Sequence, residues 1–337
     1  MTAAEPLSIV VVPRDRFSTT TKCLDSLLAH TPEPHDLLVV VGGASEEHKQ
    51  DLMRRYQGKA RFHFEPSFLN PACARNIALK VVQTRLAVFV ENDVIVRPNW
   101  LAPLLKCQQE TGAAMVVPLI LEDEETIHTA GNSLYITQRD GVVYASKELK
   151  FYKQLYYGNS NLKRERTDYG EMHCQLVLVE PALRLGVFDE KITEVGECDS
   201  GLSWTKAGHQ LWFEPASVVI YDLPRRIVNV EDIRLFAWRW DMRTILDGYK
   251  YFEKKWNLDI GEFGNFKHFL LLFNGKCGLL PRLLPSRATL WMDQMLVRLR
   301  RNAERSLKLW TLFRGRLFGY YEWIDAYDPE SKAAHLK

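Results

Sequence analysis

The amino-acid sequence predicts an α/β protein built on a Rossmann-like, doubly wound, mostly parallel central sheet. Two observations carry that prediction. Short runs of Val, Ile and Leu recur through the first 120 residues, too continuous for a sheet with one face in water. Amphipathic or polar stretches of helical length separate them, giving the order βαβαβαβ, which requires parallel strands joined by right-handed crossovers.

The elements follow in chain order. "LSIVVVP" is a buried strand closed by Pro13. "STTTKCLDSLLAH" places Cys23, Leu24, Leu27 and Leu28 at helical spacing behind several Ser/Thr caps. "DLLVVVGGAS" is a second strand ending in Gly42-Gly43, "EEHKQDLMRRYQ" a polar helix, and "RFHFEP" a third strand. Asn70 and Pro71 open the helix "NPACARNIALKVVQT" as N-cap and first-turn residue. "RLAVFV" is the fourth strand and runs into Glu91-Asn92-Asp93. The helix "PNWLAPLLKCQQETG" stops at Gly112, and "AAMVVPLIL" is a further strand. Residues 122–170 are polar and tyrosine-rich and read as loops with short hairpins. "HCQLVLVEPALRLGVFDE" reads as strand, short helix and turn, "CDSGLSWTKAG" as a helix, and "QLWFEPASVVIYD" as a final strand pair. Beyond about residue 225 the chain reads as helical. Two regions are therefore expected, 1–225 as the sheet domain and 226–337 as a helical C-terminal extension.

Composition narrows the function classes. A formal charge of +2 over 337 residues argues against a nucleic-acid binder. The charge is uneven, however: Arg282 to Arg316 holds nine Lys/Arg against two Asp/Glu. Such a basic tail is expected to meet something anionic. The six cysteines are scattered and form no C-x-x-C pair, which argues against a zinc site and reads as reduced cytosolic thiols. The first residues lack the basic and apolar regions of a signal peptide. No stretch reaches the ~18 apolar residues of a membrane span.

Glu91 and Asp93 lie two apart at a strand end, so both can face one site. In open α/β sheets ligands bind beyond the carboxyl ends of the strands. Two carboxylates there are costly without a positive partner, and a divalent cation carrying phosphate oxygens would supply one. The triplet alone is common enough to be an ordinary solvated loop start.

"LSIVVVPRDR", "CLDSLL", "LLVVVGGAS", "NPACARNIAL", "LAVFVENDVIVRPNWLAPLL", "IHTAGNSLY", "LGVFDE" and "GECDSGLSWTKAGHQLWFEPASVV" stand in the order and spacing of family-2 glycosyltransferases. The resemblance covers roughly residues 7 to 222 and implies the GT-A fold. It also implies an inverting transfer of a sugar from a nucleotide-sugar, UDP-linked by default, to a hydroxyl of a glycan or lipid-linked acceptor. Carried onto this sequence, it makes Asp93 and Glu91 the holders of a Mg²⁺ or Mn²⁺ ion, although the first acid of the motif is usually Asp. It assigns Pro13, Arg14, Asp15, Arg75, Asn76, Glu91 and Asn92 to the nucleotide-sugar. Glu197 falls at the catalytic base and Asp199 at the second acid of that motif; an inverting transfer needs a carboxylate to take the acceptor's proton.

The sequence also departs from the family. Gly42 stands where an Asp usually reads the nucleotide, and Tyr221-Asp222 where a His usually ends the strand after the base. These changes leave a non-catalytic sugar-nucleotide or glycan-binding protein as the alternative. A sugar nucleotidyltransferase ranks lower because "VVVPRDRFS" has no glycine, and no G-x-G-x-x-G supports a dehydrogenase. His128 reads as a packed structural residue. Trp291, Met295, Leu299, Leu307, Trp310 and Phe313 lie at near-helical spacing within residues 282–318, with arginines between them. That pattern suits either a cover for the catalytic domain or contact with an anionic membrane surface. The expected location is cytoplasmic, or peripheral on the inner face of a membrane.

Overall fold

The computed structural model describes residues 7–222 and 229–260, apart from positions 140, 153 and 158. The chain begins β1 (Leu7–Val12), α1 (Thr20–His30), β2 (His35–Gly42), α2 (Glu46–Arg55), β3 (Arg61–Glu65), α3 (Pro71–Val81) and β4 (Leu86–Glu91). It continues β5 (Val94–Val96), α4 (Leu101–Thr111), β6 (Met115–Leu121), β7 (Ile127–Thr129), β8 (Asn132–Arg139), β9 (Val142–Leu149) and β10 (Glu165–Arg166). Then come β11 (Cys174–Leu178), α5 (Val179–Leu185), α6 (Gly196–Lys206), β12 (Leu211–Tyr221), α7 (Val230–Arg239) and α8 (Met242–Trp256).

Local chemistry sets the helix ends as the sequence suggests. Asn70 Oδ1 accepts from Cys73 N at 2.8 Å with Pro71 in the first turn, and Gly112 closes α4 at φ 67°. Asn229 and Asp241 cap α7 and α8 in the same way.

The main sheet runs β10-β12-β6-β11-β4-β1-β2-β3. β3, β2, β1 and β4 are parallel, and β6 pairs parallel with β12. β11 lies antiparallel between β4 and β6. The strand after the loop region is reversed within a mostly parallel sheet, as the expected fold class allows. One expectation is corrected. "QLWFEPASVVIY" is one strand rather than a pair, its register shifting between Glu214 and Val218. The hairpin in the irregular region is also longer than expected, with β8 and β9 of eight residues each.

Both faces of the sheet are apolar and buried, as a doubly wound sheet requires. One face carries Ile9, Val11, Val88 and Val90 against α1, α2 and α4; the other carries Val10, Val12, Ala87 and Phe89 against α3 and α5. A third core forms where α7 and α8 place Phe236, Trp240, Ile245, Tyr249 and Phe252 against Ala145, Tyr169, Ile192, Val195 and Cys198. Burying each such aromatic contributes roughly 1.5–3 kcal/mol. The expected region boundary near 225 and the basic stretch 282–318 lie outside the described residues.

Sheet direction positions the site. Val12 pairs with Glu91, so β1 and β4 end side by side. Because β11 is reversed, its first residues reach the same edge: Glu91 N donates to His173 O at 2.9 Å. β12 ends there too, with Tyr221 opposite Val94.

Candidate active site at the strand ends

Glu91 is the electrostatic centre of this edge. It is fully buried, and Arg14 Nη1, Arg75 Nη2 (3.2 Å) and His173 Nδ1 (2.9 Å) surround its carboxylate. Burial works against the charge, but Arg14, His173 and Arg75 outweigh it and hold Glu91 well below the usual carboxylate range. Asp93 is also buried, with Arg14 Nε 3.8 Å from Oδ2, and its backbone oxygen accepts from Asp222 N at 2.8 Å. Arg14 therefore bridges both acids and lies over the Tyr221 ring, 5.6 Å from its centroid. Burial opposes its charge too, but Glu91, Tyr221, Asp15 and Asp93 keep it firmly protonated.

The other residues assigned to the nucleotide fall in different places. Arg75 is buried and committed to Glu91 and to Met172 O (2.5 Å). Asn76 faces away from Glu91; its Nδ2 donates to Phe188 O (2.9 Å) and Glu190 Oε1 (2.8 Å). Asn92 staples the first loop to the strand end: its Oδ1 accepts from Arg14 N, and its Nδ2 donates to Arg16 O and Thr20 Oγ1. Asp15 is buried and accepts from Trp240 Nε1 at 2.9 Å, so α7 closes over it. Pro13 is buried, which leaves Arg14 as the residue of this loop group whose polar head retains some exposure among those assigned.

The second acidic cluster divides. Val195 enters α6 at φ 54°, a β-branched residue in the left-handed region, where the cost is about 1–3 kcal/mol. This turn delivers Glu197 to Lys147 Nζ on β9, at 2.7 Å. Burial pushes Glu197 up, but Lys147 pulls it below the usual glutamate range, so it is ionised and able to accept a proton. Asp199 points elsewhere. It accepts from Trp256 Nε1 (2.7 Å) and pairs with Lys255 Nζ (2.8 Å), tying α6 to α8.

Sequence reasoning missed His173 and Glu171, and it took His128 as packed without naming its partners. His173 stacks on Tyr221 with ring centroids 4.0 Å apart, and burial followed by the charge of Arg14 drives it down to about 3, so it is neutral. His128 lies edge-on to His173 (5.3 Å) and Tyr221 (5.2 Å) and is no isolated core residue. Glu171 is raised by burial and then by the charge of Glu197, and it offers an oxygen within 4.8 Å of ligand atoms on His128 and His173. Gly42 also has a physical reason: a Cβ there would lie 2.5 Å from Leu69 Cγ and from Ser67 O.

Residues 8–174 match the profile of Glycosyl transferase family 2. No curated protein sequence matches the chain. A similar solved structure is the crystal structure of GalNAc-T7 with UDP, GalNAc and Mn²⁺, at TM-score 0.50 and 16% sequence identity. The alignment covers 84% of this chain and 57% of that one, so the chain spans little more than half of that protein's length. At this identity the likeness speaks to the fold.

Proposed function

The chain belongs to glycosyl transferase family 2, and we propose that it moves a sugar from a nucleotide-sugar to a hydroxyl acceptor with inversion at the anomeric carbon. A UDP-sugar is the proposed donor, and a glycan or lipid-linked molecule the proposed acceptor. One observation carries the reading. Glu91 and Asp93 lie at one strand end with His173, whose ligand atom is within 4.8 Å of one on Glu171, and Glu171 in turn feels the charge of Glu197.

A Mg²⁺ or Mn²⁺ ion fits the Asp93 end of that cleft. Glu91, Asp93 and His173 each offer a ligand atom, all within 4.8 Å of one another, and two carboxylates suit a hard cation. When bound, the ion neutralises the leaving diphosphate. The chain's own residues do the rest. Arg14 offers a fixed guanidinium to the phosphate oxygens. Glu197, held ionised by Lys147, takes the acceptor's proton as its oxygen attacks opposite the diphosphate. Asp15, Asn92 and Arg75 shape the loop and the strand end through the contacts above and serve as positioning residues.

Gly42 favours the second reading, a non-catalytic sugar-nucleotide or glycan-binding protein, because Ser67–Leu69 fill the space of the Asp that reads the nucleotide in the family. Turnover separates the two. The transferase reading expects nucleotide-sugar hydrolysis stimulated by Mn²⁺ and lost in Asp93→Asn. Binding of the nucleotide with no turnover of any donor supports the second reading.

The proposed location is cytoplasmic, or peripheral on the inner face of a membrane through the basic stretch 282–318. No helix among the described residues is long and apolar enough to cross a membrane.

A further inference from the structure

We infer that His128, Glu171 and His173 form a seat for a divalent transition-metal cation, distinct from the Asp93 position. One ligand atom from each of the three lies within 4.8 Å of the others, a span that a single ion can bridge.

Three further features support the seat. First, each imidazole already has a carboxylate on its Nδ1 edge. His128 Nδ1 is 3.0 Å from Glu122 Oε1, and His173 Nδ1 is 2.9 Å from Glu91 Oε2. His128 is oriented as metal-ligating histidines are, with Nδ1 held by a carboxylate and Nε2 left for an ion, while His173 Nδ1, though close to Glu91, is a buried ring nitrogen without a hydrogen bond among the described residues. The seat shares His173 with the Glu91-Asp93 group, so this imidazole serves one position or the other, and Glu91 also meets Arg14 and Arg75. Second, the rings are packed in place. Tyr221 stacks on His173, and Tyr152 meets the other side of His128 at 6.0 Å. Third, Glu171 faces the charge of Glu197, which Lys147 only partly offsets. A cation would satisfy Glu171 and relieve that repulsion.

Charge and access agree with the seat. Six carboxylates here, Glu91, Asp93, Asp15, Glu122, Glu171 and Glu197, outnumber three cations, Arg14, Arg75 and Lys147. His128 and Glu171 are only partly buried, so an ion can enter from the cleft and keep positions open to ligand or water. Two imidazoles with one carboxylate favour Zn²⁺, Co²⁺ or Fe²⁺ over Mg²⁺, which prefers oxygen donors and keeps its water. An ion here would lie between the Asp93 and Glu197 ends of the cleft. The seat does not depend on the donor chemistry proposed above.

The test is Co²⁺ and Zn²⁺ binding to the full chain, read by competition with a chromophoric chelator and by the visible spectrum of bound Co²⁺. The wild type should take up one tight equivalent that millimolar Mg²⁺ does not displace. His128→Ala and Glu171→Gln should each weaken it about 10-fold or more, and Glu122→Gln should weaken it about 10-fold through ring orientation. Asp93→Asn should leave this equivalent in place. His128→Gln replaces His128→Ala if circular dichroism shows the alanine variant unfolded. Absence of a tight equivalent, equal competition by Mg²⁺, or loss on Asp93→Asn with retention in the His128 and Glu171 variants would overturn the seat. Donor turnover is not read in this assay, so its outcome is separable from that of the transferase reading.

Discussion

Asp199→Ala and Glu197→Gln should fail in opposite ways. Asp199 is fully buried and accepts the indole N–H of Trp256 at 2.7 Å, so its removal leaves that donor unsatisfied inside the α6–α8 contact. A hydrogen bond to a charged acceptor contributes about 1.5–3 kcal/mol. The Lys255 pairing adds little, because Lys255 is a quarter exposed and keeps Asp189 at 2.9 Å. The expected loss is therefore about 2–3 kcal/mol, or a fall in Tm of roughly 4–6 °C for a domain of this size. Below that Tm, kcat should remain within about 10-fold of wild type. Glu197→Gln keeps an acceptor for Lys147 and should leave Tm nearly unchanged, while kcat falls by about 10²–10⁴ with little change in donor affinity. Thermal unfolding and initial rates of nucleotide-sugar turnover on the same preparations decide the matter. If Asp199→Ala keeps its Tm but loses kcat about 100-fold, while Glu197→Gln stays active, then Asp199 is the base and the division drawn from the contacts is wrong.

Lys147→Met should move the acid limb of the kcat/KM profile to higher pH. The pair with Lys147 keeps Glu197 ionised below the usual glutamate range, and the stability it contributes is full above that range and lost as pH falls below it through the depressed folded-state value; an unmoved limb would remove Glu197 from the base role. Gly42→Asp should lower stability by about 1–3 kcal/mol without strengthening nucleotide binding, since its Cβ meets the backbone oxygen of Ser67 at 2.5 Å. Tighter nucleotide binding by that variant, measured calorimetrically, would show that the segment yields. In flotation with anionic and neutral liposomes, the full chain should rise with anionic vesicles and lose that preference when Arg298, Arg300 and Arg301 are changed to Ala. Equal recovery with both lipids would leave the basic tail a packing element.

The parallel half of the sheet was legible because each Val/Ile run is bounded by a cap or turn residue that acts locally. Asn70 captures Cys73 N, and Gly112 takes a left-handed conformation, whatever the rest of the chain does. Strand direction is not encoded in that way. "CQLVL" has the same apolar run in either sense, and only its pairing with β4 and β6 decides that it is reversed. That decision moves His173 and Glu171, which precede the strand, to the edge where the parallel strands end. For the same reason, side-chain roles inside the "ARN" and "END" triplets were legible only as types. Arg75 and Asn92 are where a polar residue is needed, but their partners, Met172 O for one and Arg16 O for the other, come from distant segments.

The reversed strand also accounts for how the chain tolerates so many buried ionisable groups at one edge. An acid at the end of β4 with only its parallel neighbours would meet Arg14 alone. β11 adds an imidazole on one side, and the Met172 carbonyl that precedes it fixes Arg75 on the other. Glu91 thereby gains three partners, and its burial becomes affordable. Once Glu91 is saturated in this way, the next place where charge is incompletely matched is farther along the same reversed segment, at Glu171 beside His128 and Glu197. The edge thus has a neutralised carboxylate at Glu91, held by three partners, and a carboxylate raised by burial and by Glu197 at Glu171.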